Sequence, residues 1–265
     1  MSERLPVRKT YKLFVGGAFP RSESGRTLEV EGYNVARASR KDVRDAVVAA
    51  RKAVPGWSGA TAYNRGQVLY RLAETMETRT DALAAASSGR REVARATDRV
   101  VWYAGWADKL AQVLGSSNPV AGPYFNFTLP EPTGVVAVIA PGEPPLEGLV
   151  SRLLPALVGG NAVVAVASEA HPLAAIELAE AIATSDVPAG VVNVLTGLRS
   201  ELAPVLAGHM DVNAIDVTGA DGDRAALEAL AAENVKRVVR AKEAQSPWEI
   251  ASFMELKTVW HPIGR

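Results

Sequence analysis

Residues 138–149 read VIAPGEPPLEGL. The apolar run Val135–Ala140 has the composition of a buried strand and breaks at a Pro-Gly corner. Ligands of α/β proteins sit at such corners, beyond the carboxyl ends of strands. This one offers Gly142, Glu143, Pro144 and Pro145, with one ionisable side chain and no nucleophile. Two further corners carry polar groups. After Val166 come Ala167, Ser168 and Glu169, where a carboxylate can accept hydrogen bonds from ribose hydroxyls; a solvent-facing Glu169 near a helix start is an equal alternative. After Val217 the chain reads TGADGD. Gly219 and Gly222 would let backbone approach a phosphate, but Asp221 and Asp223 would repel a pyrophosphate.

The remaining inventory narrows the chemistry. With no cysteine, disulfides, thiolate metal sites and cysteine nucleophiles are ruled out. The three histidines, His171, His209 and His261, stand far apart and form no H-x-x-x-H pair. Surface or packing roles are expected for them, and no metal site. Lys+Arg and Asp+Glu both total 29, so the net charge is zero. That balance argues against nucleic acid or an acidic membrane as a partner. The start, MSERLPVRKTYK, is polar and basic, so no signal peptide is expected. No stretch reaches the ~18 apolar residues of a membrane span; Ala156–Ala167 is interrupted by Gly159, Gly160 and Asn161. A cytoplasmic protein is the expectation.

The elements that must position these corners follow from periodicity. Val135–Ala140, Ala162–Val166, Val191–Leu195, Val212–Val217 and Val235–Arg240 read as strands, alternating with helical patterns near 145–158, 171–184, 199–208 and 221–233. Strands alternating with such helices imply a parallel sheet covered on both faces. Upstream, Ser39 opens a helix with capping-box spacing. Val43, Ala46, Val47, Ala50 and Val54 share one face of it, and Pro55-Gly56 is expected to end it. Two long helices are predicted over about 63–87 and 91–114. The second carries Trp102 and Trp106, read as packing residues. Tyr124–Leu129 suits an extended strand, with a second across Pro130–Pro132, as a ribbon leaving the domain. Leu256–Trp260 reads as one more strand after a linker, and a lone strand must pair with something.

Several stretches together resemble the aldehyde dehydrogenase superfamily. FVGGAFPRSESGRTLEV, WYAGWADKL, PYFNFTLPEPTGVVAVIAP, LLPALVGGNAVV, PAGVVNVLTG and KTVWHPIG follow the family's order across nearly all of residues 11–265. The resemblance implies a Rossmann-like α/β cofactor-binding domain over 1–122 and 134–247. It also implies an oligomerisation ribbon at 123–133 and a C-terminal strand within 248–265.

The departures bear on function. The family's P-W-N-F-P matches Pro141–Pro145, so Glu143 stands where an asparagine donates to the oxyanion. A carboxylate there repels developing negative charge, and loss of one such donor typically costs about 10²–10³ in rate. The family's K-P-S-E matches Val166–Glu169: the lysine is gone and the glutamate kept. F-T-G-S-x-x-x-G matches Val217–Arg224, with the serine and last glycine replaced. E-L-G-G-K-S-P matches Ala241–Pro247, so Ala241 replaces the general base. Glu243, two positions on and so about 6–7 Å displaced in extended chain, is not expected to substitute. Finally, LKTVWHPIG follows Ser246-Pro247 within about ten residues, where the family inserts its catalytic domain and nucleophilic cysteine.

The resemblance therefore implies a pseudoenzyme that resembles the truncated second unit of two-unit aldehyde dehydrogenases. Its expected role is to associate with a complete NAD(P)-dependent aldehyde dehydrogenase and to stabilise or regulate it. Tyr124, Phe125, Phe127, Leu256, Val259 and Trp260 are the expected association residues, since both strands would otherwise leave open edges. A homodimer is the other assembly considered. A stand-alone nucleotide-binding or sensor module is the alternative, with weak NAD or NADP binding through Ser168, Glu169, Thr218 and Gly219. An active oxidoreductase by another route is the least favoured.

Overall fold

The structure is a computed structural model that describes residues 9–243 and 245–264. The first eight residues of the basic N-terminal segment, Ala244 of the base-bearing motif and Arg265 lie outside the described residues.

The N-terminal part forms a small sheet of β1 (Thr10–Tyr11), β2 (Thr27–Val30) and β3 (Tyr33–Ala36), ordered β1-β3-β2. A helical layer follows: α1 (Arg40–Gly59), α2 (Ala62–Thr78), α3 (Thr80–Ala85), α4 (Arg90–Ala104) and α5 (Leu110–Leu114). The Ser39 capping box is present, with the Asp42 carboxylate accepting the Ser39 N–H at 2.7 Å. Three expectations are corrected in this layer. Pro55-Gly56 does not end α1, which runs on to Gly59. The last turn is held by buried Trp57, whose Nε1 donates to the Leu157 carbonyl at 2.9 Å; that anchor outweighs the hydrogen bond a proline forfeits. The helix expected over 63–87 breaks at Arg79, where φ −103° and ψ 16° start a new helix. The helix expected over 91–114 stops at Gly105, and i→i+3 bonds such as Trp106 N–H to Tyr103 O (3.0 Å) turn the chain before α5.

A second, antiparallel sheet then leaves the body: β4 (Ser116–Asn118) and β5 (Tyr124–Pro132). β5 is one nine-residue strand, which corrects the expectation of two separate strands at Tyr124–Leu129 and Pro130–Pro132. The Rossmann-like unit comprises β6 (Val135–Ile139), α6 (Pro145–Val158), β7 (Ala162–Val166), α7 (Pro172–Ala183), β8 (Val192–Leu195), α8 (Arg199–Gly208), β9 (Ala214–Asp216), α9 (Arg224–Ala232) and β10 (Arg237–Val239). All five strands are parallel, in the order β10-β9-β6-β7-β8. Alternation along β6 feeds two cores. Val136 and Val138 pack with α6, whereas Val135, Ala137 and Ile139 pack with α1 and α8. The outer edge of β8 is covered by Phe14, whose N–H donates to Val194 O at 3.0 Å.

The chain then forms α10 (Pro247–Ala251), unforeseen in the sequence, and β11 (Met254–Pro262). Its Ser-Pro start is a helix signal, with the Ser246 hydroxyl accepting the Trp248 N–H at 3.3 Å. β11 pairs with β5 along its full length, from Met254↔Pro132 to Pro262↔Tyr124. Within the chain each of these strands therefore covers one edge of the other, and β4 pairs with part of β5's second edge. Among the described residues, the outer edge of β11 pairs with no strand.

Candidate functional site at the switch point of the sheet

Strand order reverses between β6 and β9, so the crevice past their carboxyl ends is where a ligand would lie. The 218–219 turn closes tightly on β6. The Gly219 N–H donates to Ile139 O at 3.2 Å, and a Cβ on Gly219 would come within 2.3 Å of Ala140 O. The Thr218 N–H donates to Asp216 Oδ1 at 2.8 Å, while the Thr218 hydroxyl accepts the Ala241 N–H at 2.9 Å. Thr218 and Ala241, singled out separately in the sequence, are therefore neighbours.

A cavity of about 290 Å³ opens beside them, with Glu143, Ser151, Arg152, Thr218, Ala241 and Glu243 in its wall. Ala241 supplies no titratable group. Glu243 reaches the same cavity, but its main chain is committed: its N–H goes to Glu249 Oε1 (3.1 Å) and its carbonyl accepts from Arg152 (3.0 Å).

Beneath the cavity lies a buried charge cluster that motif reading missed. Arg152, 2 % exposed, pairs with Glu249 at 3.0 Å and stands 3.7 Å from Asp216 Oδ2. Among the described residues that Asp216 oxygen has no hydrogen-bond partner. Burial pushes the Asp216 carboxyl above the usual carboxylate range, with Arg152 acting in the opposite sense. Burial also raises the neighbouring Tyr103 hydroxyl, which accepts the Ser246 N–H at 3.4 Å. Glu92, 1 % exposed, caps α6 by accepting the N–H groups of Leu146 (2.7 Å) and Glu147 (2.9 Å). An ionisable residue inside an apolar run (Arg152 in LVSRLL, Asp216 in NAIDV) was the available signal; Glu92 and Glu249 offered none.

The family profile described as Aldehyde dehydrogenase family matches residues 27–263. The chain belongs to the aldehyde dehydrogenase family. An aldehyde dehydrogenase of Davidiella tassiana is 32% identical over 253 residues, which cover 89% of this chain and 50% of that one. The crystal structure of HpcC from Thermus thermophilus is similar with a TM-score of 0.83 at 30% identity, over 88% of this chain and 48% of that chain. The NAD+ complex of an aldehyde dehydrogenase from Bacillus cereus is similar with a TM-score of 0.79 at 26% identity, over 87% and 50% of the two chains. This family member thus spans about half the length of the curated relatives it matches.

Against the dinucleotide implied by that family, the expected binding residues do not fit as they stand. One Glu169 oxygen already accepts the backbone N–H of Arg199. The Arg199 guanidinium donates to Ala140 O at 3.2 Å and faces Asp221 at 3.4 Å, so it lies across the end of β6. Val166, at the position of the family's lysine, is wholly buried. The Ser168 hydroxyl accepts the His171 N–H at 3.2 Å. The His171 ring then joins Glu143 (Nε2, 2.7 Å) to Glu31 (Nδ1, 2.8 Å), which ties the loop after β6 to the β2–β3 turn. His171 thus has the surface position expected of it and in addition bridges the loop after β6 to the β2–β3 turn. Among the described residues no cluster of three metal-ligating side chains occurs, and no helix is long and apolar enough to cross a membrane.

Proposed function

We propose that this chain is a non-catalytic member of the aldehyde dehydrogenase family, which associates with a complete NAD(P)-dependent aldehyde dehydrogenase chain and stabilises or regulates it. The observation that carries this reading is the pairing of Glu143 with Ala241 on one cavity. By family resemblance these positions are the oxyanion donor and the general base. One now carries a charge of the wrong sign for an oxyanion, and the other cannot take a proton. The segment between Ser246 and Met254, where relatives place the catalytic domain, is filled by the five-residue α10.

The association surface is the β4–β5–β11 sheet. On one face, cross-strand neighbours bring Phe125, Phe127 and Val259 together, with the two phenyl rings 5.3 Å apart. On the other, Tyr124 and Trp260 meet edge to face at 5.8 Å. Phe125, Tyr124, Leu256 and Trp260 are all well exposed, and the outer β11 edge offers free backbone groups to a further strand. Co-expression with a complete aldehyde dehydrogenase chain, followed by native mass spectrometry, tests the proposal. A stable heteromer is expected. A chain that elutes alone and monodisperse, or one that oxidises aldehydes with NAD unaided, overturns it.

A nucleotide-binding or sensor role is the second reading, favoured by the retained switch point of the sheet. Calorimetry with NAD and NADP separates the two. Binding tighter than about 100 μM, roughly −5.5 kcal/mol, supports the sensor.

A further inference from the structure

A cavity of about 780 Å³ lies apart from the switch point, where α1, α8 and α9 converge. Every ionisable side chain in its wall is basic: Arg40, Lys41 and Arg44 from the start of α1, and His209 just past α8. Pro204 and Val205 of α8 and Leu230 of α9 give it an apolar floor. None of Ser168, Glu169, Thr218 or Gly219 lines it.

The nearby carboxylates leave this charge incompletely answered. Lys41 pairs with Glu23 at 3.2 Å and Arg44 with Asp45 at 3.0 Å, both in exposed pairs of the kind that contribute little. Asp42 is turned inward to Ser22, Glu23 and Ser39. Among the described residues, the Arg40 guanidinium makes no hydrogen bond or ion pair. Behind the wall, Lys236 is buried and donates to the carbonyls of His209 (2.8 Å) and Val212. The Nδ1 of His209 accepts the Asp211 N–H at 3.2 Å. Burial, Lys236 and Arg40 all hold the His209 imidazole below its ordinary pKa, with Asp211 opposing them. Arg40 is thus the basic group of the wall left without a carboxylate partner among the described residues, beside two whose ion pairs are exposed and readily exchanged. Guanidinium groups suit phosphate by their planar donor fork, and a volume of this size accommodates a drug-sized organic molecule.

We propose that the α1–α8–α9 cavity is a binding site for an organic phosphate: a polyanionic head held by Arg40, Lys41 and Arg44, and an apolar body against Pro204, Val205 and Leu230.

The test titrates the full chain with ATP and, separately, with inorganic pyrophosphate, by calorimetry and by NMR of the His209 ring. Saturable ATP binding is expected, together with an upward shift of the His209 titration, since a bound anion favours the imidazolium. Pyrophosphate, which lacks the apolar body, should bind more weakly. Affinity should fall by about tenfold or more in R40A/R44A, whose melting temperature should match that of the parent because both side chains are on the surface. R71A, which removes an exposed arginine paired with Asp186 and outside both cavities, should leave ATP affinity unchanged. Absence of saturable binding by either probe, ATP binding that survives R40A/R44A, or loss of binding in R71A overturns the proposal.

Discussion

The Glu143 carboxylate and the Nε2 of His171 lie 2.7 Å apart, joining the loops that follow β6 and β7. Glu143 thus takes a position that by resemblance belongs to an oxyanion donor and uses it to fasten two loops. Arg199 closes the same edge of the sheet from the other side, through Ala140 and Asp221. Both contacts use side chains where a dinucleotide-binding edge would present backbone and open space.

Removing that closure should restore some access. In R199G, NAD affinity measured by calorimetry should rise by at least about tenfold over the parent chain, because the occupying guanidinium no longer has to be displaced. An unchanged titration would mean that Arg199 is not what blocks the edge.

Asp216 makes stability depend on pH in a definite sense. Its carboxyl is raised in the folded state by burial. The unfolded chain, with a carboxyl near the ordinary value, therefore releases its proton first as pH rises. The advantage of the protonated native form is complete below that ordinary value and is lost as pH climbs through the raised one. D216N, which stays neutral, should be more stable than the parent at pH 7.5 by about 1 kcal/mol, or roughly 2–4 °C in melting temperature. The gain should vanish near pH 3.5. A gain independent of pH would point to packing instead of charge.

Arg152 should behave oppositely. R152M leaves Glu249 and Asp216 buried without their cation, a change that costs about 3–5 kcal/mol. Because the residues share one cluster, R152M/D216N should be less damaged than the sum of the single changes requires. Denaturant melts of the four proteins measure the coupling, and strict additivity would refute it.

On the protruding sheet, L256E/W260E places charge on side chains that are 60 % and 58 % exposed. Substitutions there should alter the melt by under about 0.5 kcal/mol and abolish co-purification with a complete aldehyde dehydrogenase chain. Retained co-purification would move the proposed interface elsewhere.

The parallel sheet was legible because Val135–Ile139 and Ala162–Val166 are continuous apolar runs between turn signals, a pattern that burial on both faces demands. Helix ends were less legible. Pro55 is a stop signal when read locally, and only the distant Leu157 carbonyl that receives Trp57 explains why α1 continues. The candidate site divides in the same way. Glu143, Thr218, Gly219 and Ala241 fall together because family order carries them. The contacts that define their chemistry, from His171, Arg199 and Arg152, join positions far apart in sequence, and no local spacing encodes them.

The pairing of β5 with β11 has a consequence for biosynthesis. Thr128 and Thr258, facing partners in that ladder, are 130 positions apart. Every ribosome therefore exposes Tyr124–Pro132 well before the strand that covers its edge has been made. Such an interval favours capture by any nascent or finished sheet nearby. The order of translation thereby becomes a physical variable in how this sheet is assembled.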